Sequence, residues 1–293
     1  MPTGWFLLGA PWDSSGSGRG EGAAPGTLRA QGLADLVDCD LGDAATTVGS
    51  TVRDARTGVL ALPETLQAAQ ALTAALVQAM GDLPERRPLV IGGDCSILLG
   101  IIPALRRRTG PVGLWFLDGH PDYLDGLTSG TGETADMELA VITGVGASPL
   151  VRLAGVPPMI AADDVVLVGH RTAGLDEASA AELASLPTGL QRLDAATAAL
   201  PRRGGRARRR LVERGGLRSV AAPRPRRARP VACPAVTYPQ PGGLTWEHLA
   251  AVLEPMARSP RLLGMSVAEF RPDLDLHGAL AGRLVDLLRH VVA

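Results

Sequence analysis

The apolar positions fall into short uninterrupted runs separated by longer stretches of helical spacing. Trp5-Phe6-Leu7-Leu8, Pro88-Leu89-Val90-Ile91, Leu114-Trp115-Phe116-Leu117, Val165-Val166-Leu167-Val168 and Leu262-Leu263-Gly264-Met265-Ser266-Val267 are the runs. Their length and their Gly and Pro boundaries read as strands buried on both faces. Between them, Leu66, Ala69, Leu72, Ala75, Leu76 and Met80 recur at helical spacing and predict a helix over 63–81. Further helices are predicted over 25–33, 98–106, 176–186, 246–257 and 278–292. Strands that alternate with helices imply a mostly parallel sheet covered on both sides, an α/β fold in three layers, α/β/α. Ser14-Ser15-Gly16-Ser17-Gly18-Arg19-Gly20 is a flexible loop, but no G-K-[ST] closes it, so it is not a phosphate loop.

Composition narrows the function classes. At 293 residues the chain can bury a large core. No apolar run reaches the length of a membrane span, and Met-Pro-Thr-Gly-Trp lacks the basic segment of a signal peptide, so neither membrane insertion nor export is expected. Cys39, Cys95 and Cys233 are odd in number and widely spaced, which suits a reducing cytoplasm. The net charge of −1 gives no general argument for nucleic acid. All 29 basic residues are Arg. Together with abundant Ala, Gly and Pro, this points to GC-rich coding DNA.

The densest chemistry follows the run Leu114–Leu117. Asp118, His120 and Asp122 alternate in Asp118-Gly119-His120-Pro121-Asp122. In extended backbone, side chains two apart point the same way. Two carboxylates and an imidazole would then converge at the carboxyl end of a strand, where open α/β sheets place their sites. That donor set suits manganese, zinc or iron. The bland alternative is a loop that carries these residues by chance.

Asp118-Gly119-His120-Pro121-Asp122 resembles the D-A-H-x-D signature of the ureohydrolases, the arginase/agmatinase/formimidoylglutamase superfamily. Upstream, Ile91-Gly92-Gly93-Asp94-Cys95-Ser96 resembles their G-G-D-H-S. The resemblance runs from Gly9-Ala10-Pro11-Trp12-Asp13 to Val267-Ala268-Glu269-Phe270-Arg271-Pro272. It implies one arginase-like domain over 1–293, with a sheet of about eight strands, forming a trimer or hexamer. It also implies two manganese ions that share a hydroxide, which attacks a guanidinium carbon. By resemblance Asp118, His120 and Asp122 are metal ligands and Glu269 holds the substrate guanidinium, which a carboxylate can do with two parallel hydrogen bonds. The bland alternative for Glu269 is a solvated acid at a strand end.

Several positions depart from the family pattern. Cys95 stands in place of a His ligand. A thiolate can bind a metal but selects softer ones, and a Cys here occurs in a branch that hydrolyses N-hydroxy-arginine. A small buried Cys filling the space of a His is the alternative. The family's proton-shuttling His falls on Ala135. Glu133 is the nearest replacement, so Asp122 and Glu133 are the catalytic candidates. His170, beside the Gly169 and Arg171 of a family Gly-x-Arg, reads as structural.

The largest departure is 202–230, where twelve residues are Arg and Glu213 is the only acid. The family has a core strand and its last metal-binding Asp residues here. Counting back without a gap from Pro234-Ala235-Val236-Thr237-Tyr238-Pro239, three family Asp positions fall on Arg224, Arg226 and Arg229. An Asp codon read one base early, after a codon ending in C, becomes the Arg codon CGA. About 200–230 therefore reads as translated out of frame between two compensating insertions or deletions. As written, Arg at a metal centre supplies no ligand, and burying unpaired charge costs several kcal/mol. Pro223 and Pro225 cannot donate to a sheet ladder. The stretch is expected to be irregular or pushed outward.

The expected function is a metal-dependent hydrolase of a guanidino-type C–N bond, in agmatine, arginine, N-hydroxy-arginine or a formimidoylglutamate-like substrate. It is expected to be impaired as written; the resemblance implies two manganese ions in the family, and one or none is possible in this chain. The alternatives are a metal-poor, non-catalytic relative and, more remotely, RNA binding through the Arg run.

Overall fold

The computed structural model describes residues 4–199, 218–223, 233–239 and 242–292, with 218–223 described for the backbone only. Eight strands form one sheet: β1 Gly4–Ala10, β2 Cys39–Asp43, β3 Arg86–Gly92, β4 Val112–Leu117, β5 Val165–Val168, β6 Gln191–Leu193, β7 Arg218–Pro223 and β8 Leu262–Val267. Their order is β2-β1-β3-β8-β7-β4-β5-β6, and every neighbouring pair is parallel.

Alternation along the buried strands separates two cores. Phe6, Leu8, Val90, Leu114, Phe116 and Leu167 face one side, where Leu72 and Leu76 of α2 (Leu62–Asp82) and Leu99 and Ile102 of α3 (Leu98–Thr109) cover them. Trp5, Leu7, Leu89, Ile91, Trp115 and Leu117 face the other. They meet Leu28 of α1 (Ala24–Ala30) and the two C-terminal helices, Trp246–Ala257 and Ala279–Val292. Both faces of the central strands are dry, which is why those strands read as unbroken apolar runs. The remaining α-helices among the described residues are short: α4 Glu138–Ile142, α5 Ser148–Val151, α6 Glu177–Ser185 and α7 Ala195–Ala199. The C-terminal pair are α8 and α9.

The predicted elements appear with small shifts at their ends, and those over 246–257 and 262–267 match residue for residue. One expectation fails. Residues 218–223 were expected to be irregular, yet their backbone forms β7 inside the sheet, between β4 and β8. Strand pairing uses backbone N–H and C=O groups and is indifferent to most side chains. Pro223 is the last residue of β7, paired with Leu117, where a missing N–H interrupts the ladder least. Pro225, Arg224, Arg226 and Arg229 lie outside the described residues.

Among the described residues, no helix is long and apolar enough to cross a membrane.

Candidate metal centre

Three segments meet at the carboxyl end of the central strands: the turn after β3, the turn after β4, and the residues after β8. At the first, Gly93 passes so close to Trp12 that a Cβ there would lie 1.5 Å from the Trp12 carbonyl oxygen. Only glycine fits. Asp94 then accepts hydrogen bonds from Ser14 N at 2.5 Å and Ser96 N at 2.9 Å, and so caps the short turn that carries Cys95. Burial, reinforced by the charge of Glu269, pushes the Asp94 carboxyl up to about 7.

The residues after β8 fold back onto this turn. Glu269 N donates to Gly93 O at 2.6 Å, and Cys95 N donates to Glu269 Oε1 at 3.0 Å. Glu269 is buried beneath the Cys95 turn rather than solvated. Its φ is +69°, and Asp122 has φ +49°. A non-glycine residue in this region costs on the order of 1–3 kcal/mol, and such residues cluster at functional sites.

The segment after β4 does not converge for the reason the sequence suggested. It is not extended: the chain bends at Gly119 and His120, and Asp122 is left-handed. Asp118 Oδ1 accepts His120 N at 2.8 Å, closing a local turn. His120 Nδ1 lies 3.9 Å from the same oxygen, at the partly exposed rim. Asp122 is buried instead, and its carbonyl receives Leu139 N at 3.2 Å and Ala140 N at 3.4 Å from the start of α4. This places the first residue of α4, Glu138, next to Asp122.

The result is a buried group that alternation did not foresee. Cys95 Sγ, an Asp122 oxygen and a Glu138 oxygen all lie within 4.8 Å of one another. That span is close to two metal–ligand bonds of about 2.0–2.3 Å placed end to end, so a small inward movement lets one ion reach all three. The donor set is chemically suitable, with one sulfur and two carboxylates. Burial, and next the charge of Glu138, hold the Asp122 carboxyl well above its ordinary range. Burial, and next the charge of Asp118, do the same for Glu138.

Cys95 and Asp122 are thus brought together, while Asp118 and His120 form a pair beside them. Glu133 stands apart, in an ion pair with Arg19. Arg19 also donates to Tyr238 Oη at 3.0 Å. His170 is buried, and desolvation lowers its imidazole to about 4. Sequence reasoning missed Glu138. The available signal was an acid flanked by Met137 and the run Leu139-Ala140-Val141-Ile142, where a charged residue has no ordinary place in a core.

Comparison with known proteins agrees with this architecture. The family model described as Arginase, arginase family, matches residues 4–190 and 229–292. An arginase of Brevibacillus brevis is 30% identical over 171 residues, a match that spans 56% of this chain and 56% of that protein. An arginase of Brucella melitensis is 27% identical over 299 aligned positions, covering 96% of this chain and 94% of the relative. The solved arginase of Bacillus caldovelox superposes with a TM-score of 0.87 at 24% identity, covering 99% of this chain and 98% of that one, which speaks for the fold alone. The family match spans most of the chain, carries both signature turns and stops only across 191–228, and on that ground the chain belongs to the arginase family.

Proposed function

We propose that the chain is built as a metal-dependent hydrolase of guanidino-type C–N bonds and that the Arg-rich segment at about 200–230 impairs it as written. The observation that carries this reading is the buried meeting of Cys95 with Asp122, which come from the two turns that resemble the family signatures. In the proposed site Asp118, His120, Asp122 and Cys95 are ligands. A divalent ion held there would supply a water of lowered pKa.

The chain's own side chains divide the remaining work. Glu269, fixed by Gly93 and Cys95, is proposed to accept the N–H groups of the substrate guanidinium and so to orient its carbon. Asp122 is proposed to accept a hydrogen bond from the attacking oxygen and hold it in line. Glu133 is proposed to hold a substrate amine or pass a proton once Arg19 releases it.

The alternative of a metal-poor relative is favoured by one observation: the family match omits 191–228, which includes Arg224 and Arg226. Assaying the purified chain and its frame-restored form with arginine, agmatine, N-hydroxy-arginine and formimidoylglutamate, with manganese, zinc or cobalt(II) present in turn, separates the two. Release of urea, hydroxyurea or formamide by a gene with 200–230 restored to frame supports the hydrolase. No release from any of the four by that restored protein supports the non-catalytic relative.

A further inference from the structure

Two departures from the family pattern meet in space. Cys95 replaces a His ligand. Glu138 follows the segment in which Ala135 stands where the family has its shuttling His. Although 43 positions apart in the sequence, Cys95 and Glu138 bring a sulfur and a carboxylate oxygen within 4.8 Å of each other and of Asp122. We infer that Glu138 is a metal ligand which, with Cys95 and Asp122, makes a sulfur-and-two-carboxylate site for a borderline divalent ion such as zinc or cobalt(II), in preference to manganese. The inference rests on the metal-hydrolase reading of this pocket and adds to it a ligand and a metal preference.

The geometry is held from three sides. Leu139 N and Ala140 N bind the Asp122 carbonyl, so the start of α4 and Asp122 move as one unit. Cys95 N donates to Glu269 Oε1 and the Ser96 and Thr134 hydroxyls are 2.7 Å apart, which ties the Cys95 turn in place, while the Cys95 Sγ–H, which donates to Ala135 O at 3.0 Å, gives up that bond when the thiolate takes an ion. Cys95, Asp122 and Glu138 are all nearly inaccessible to solvent, at 2%, 3% and 0% exposure. A thiolate and two carboxylates would carry three negative charges in a dry site. Three such donor atoms within 4.8 Å of one another offer a cation a ready-made set of anionic ligands. Imidazole and carboxylate accept manganese readily, whereas a thiolate moves preference toward softer ions. The exchange of His for Cys, together with an additional carboxylate, is therefore a change of metal rather than a loss of one.

The test is a cobalt(II) titration of the purified full-length chain followed by absorption, with zinc and manganese as competitors. Bound cobalt should show the near-ultraviolet charge-transfer band of a thiolate ligand, and zinc should displace it at far lower concentration than manganese. Cys95→Ser should abolish the band. Glu138→Gln, which keeps the shape of a neutral acid, should weaken cobalt binding by at least about tenfold while circular dichroism stays unchanged. If Glu138→Gln binds cobalt as the parent does and the band is intact, Glu138 is a protonated structural acid. The inference then fails while the metal pocket stands. If the parent binds none of the three metals, the pocket reading fails and takes the inference with it. Should Glu138→Gln not fold, diffraction at the zinc edge on zinc-loaded crystals of the parent decides. A Glu138 oxygen at about 2.0–2.2 Å from the ion supports the assignment, and a carboxylate turned away overturns it.

Discussion

The two sides of the candidate centre were built to different degrees. On one side, Cys95, Asp122 and Glu138 come from separate segments that grip one another through Gly93, Asp94, Ala135 and the start of α4. On the other, Asp118 and His120 form a pair at the end of β4, and by family resemblance the ligands that complete it belong to the strand alongside. That strand is β7, whose last residue, Pro223, pairs with Leu117, the residue before Asp118. Its next residues are Arg224, Pro225 and Arg226. The lesson is that backbone and chemistry are specified separately. A central strand needs peptide groups and flanking partners, and β7 has both. A metal site needs particular side chains at the strand's end, and the sequence there offers cations.

Restoring the second side should produce the largest change. Resequencing between the codons of Leu200 and Pro234 is expected to show that a one-base move of the frame places Asp at 224 and 226. The restored protein, or the Arg224→Asp, Arg226→Asp double variant, should gain a second ion. It should also gain hydrolysis at least about a thousandfold above background. A stop codon or the lack of an Asp pair in the shifted frame would make the Arg segment genuine and the non-catalytic relative the better reading.

The first side can be broken at its scaffold. Gly93→Ala forces a methyl group into the Trp12 carbonyl. The expected cost is about 3 kcal/mol or more of unfolding free energy, read by urea denaturation, with loss of metal binding at Cys95. A tolerated alanine would show that this turn is less constrained than the 1.5 Å approach requires.

A smaller effect sharpens the comparison from the β5 side. His170 has a folded pKa near 4, below its ordinary 6.5, because burial disfavours the charged ring. The unfolded chain then binds the extra proton first as the pH falls. The stability due to the neutral ring is full above 6.5 and lost between about 6.5 and 4. His170→Asn should flatten that loss by about 2 kcal/mol, measured as the difference between denaturation at pH 7 and pH 4.5. An unchanged slope would assign the acid sensitivity to other groups.

Much of the fold was legible in the sequence because dry strands leave unbroken apolar runs. Leu114–Leu117 and Leu262–Val267 needed no other signal. β2 was missed because it is an edge strand, Cys39–Asp43, with four of its five positions exposed, so it carries no apolar run. β6 is three residues long. In the site, Asp122 and Cys95 were legible from their signatures, but the turn geometry was not. Alternation holds only in extended backbone, whereas Asp118 caps a bend and Asp122 is left-handed. Glu138 was invisible for a physical reason: its partners are 16 and 43 positions away, and only the fold brings them together.

The most direct measurement is the metal content of the chain as written, by elemental analysis after loading with excess zinc or manganese and exhaustive dialysis. The expected result is about one ion per chain, zinc over manganese, lost in the Cys95→Ser, Asp122→Asn double variant. Two ions per chain would contradict the incompleteness of the Asp118–His120 side, and none would contradict the metal site at Cys95, Asp122 and Glu138.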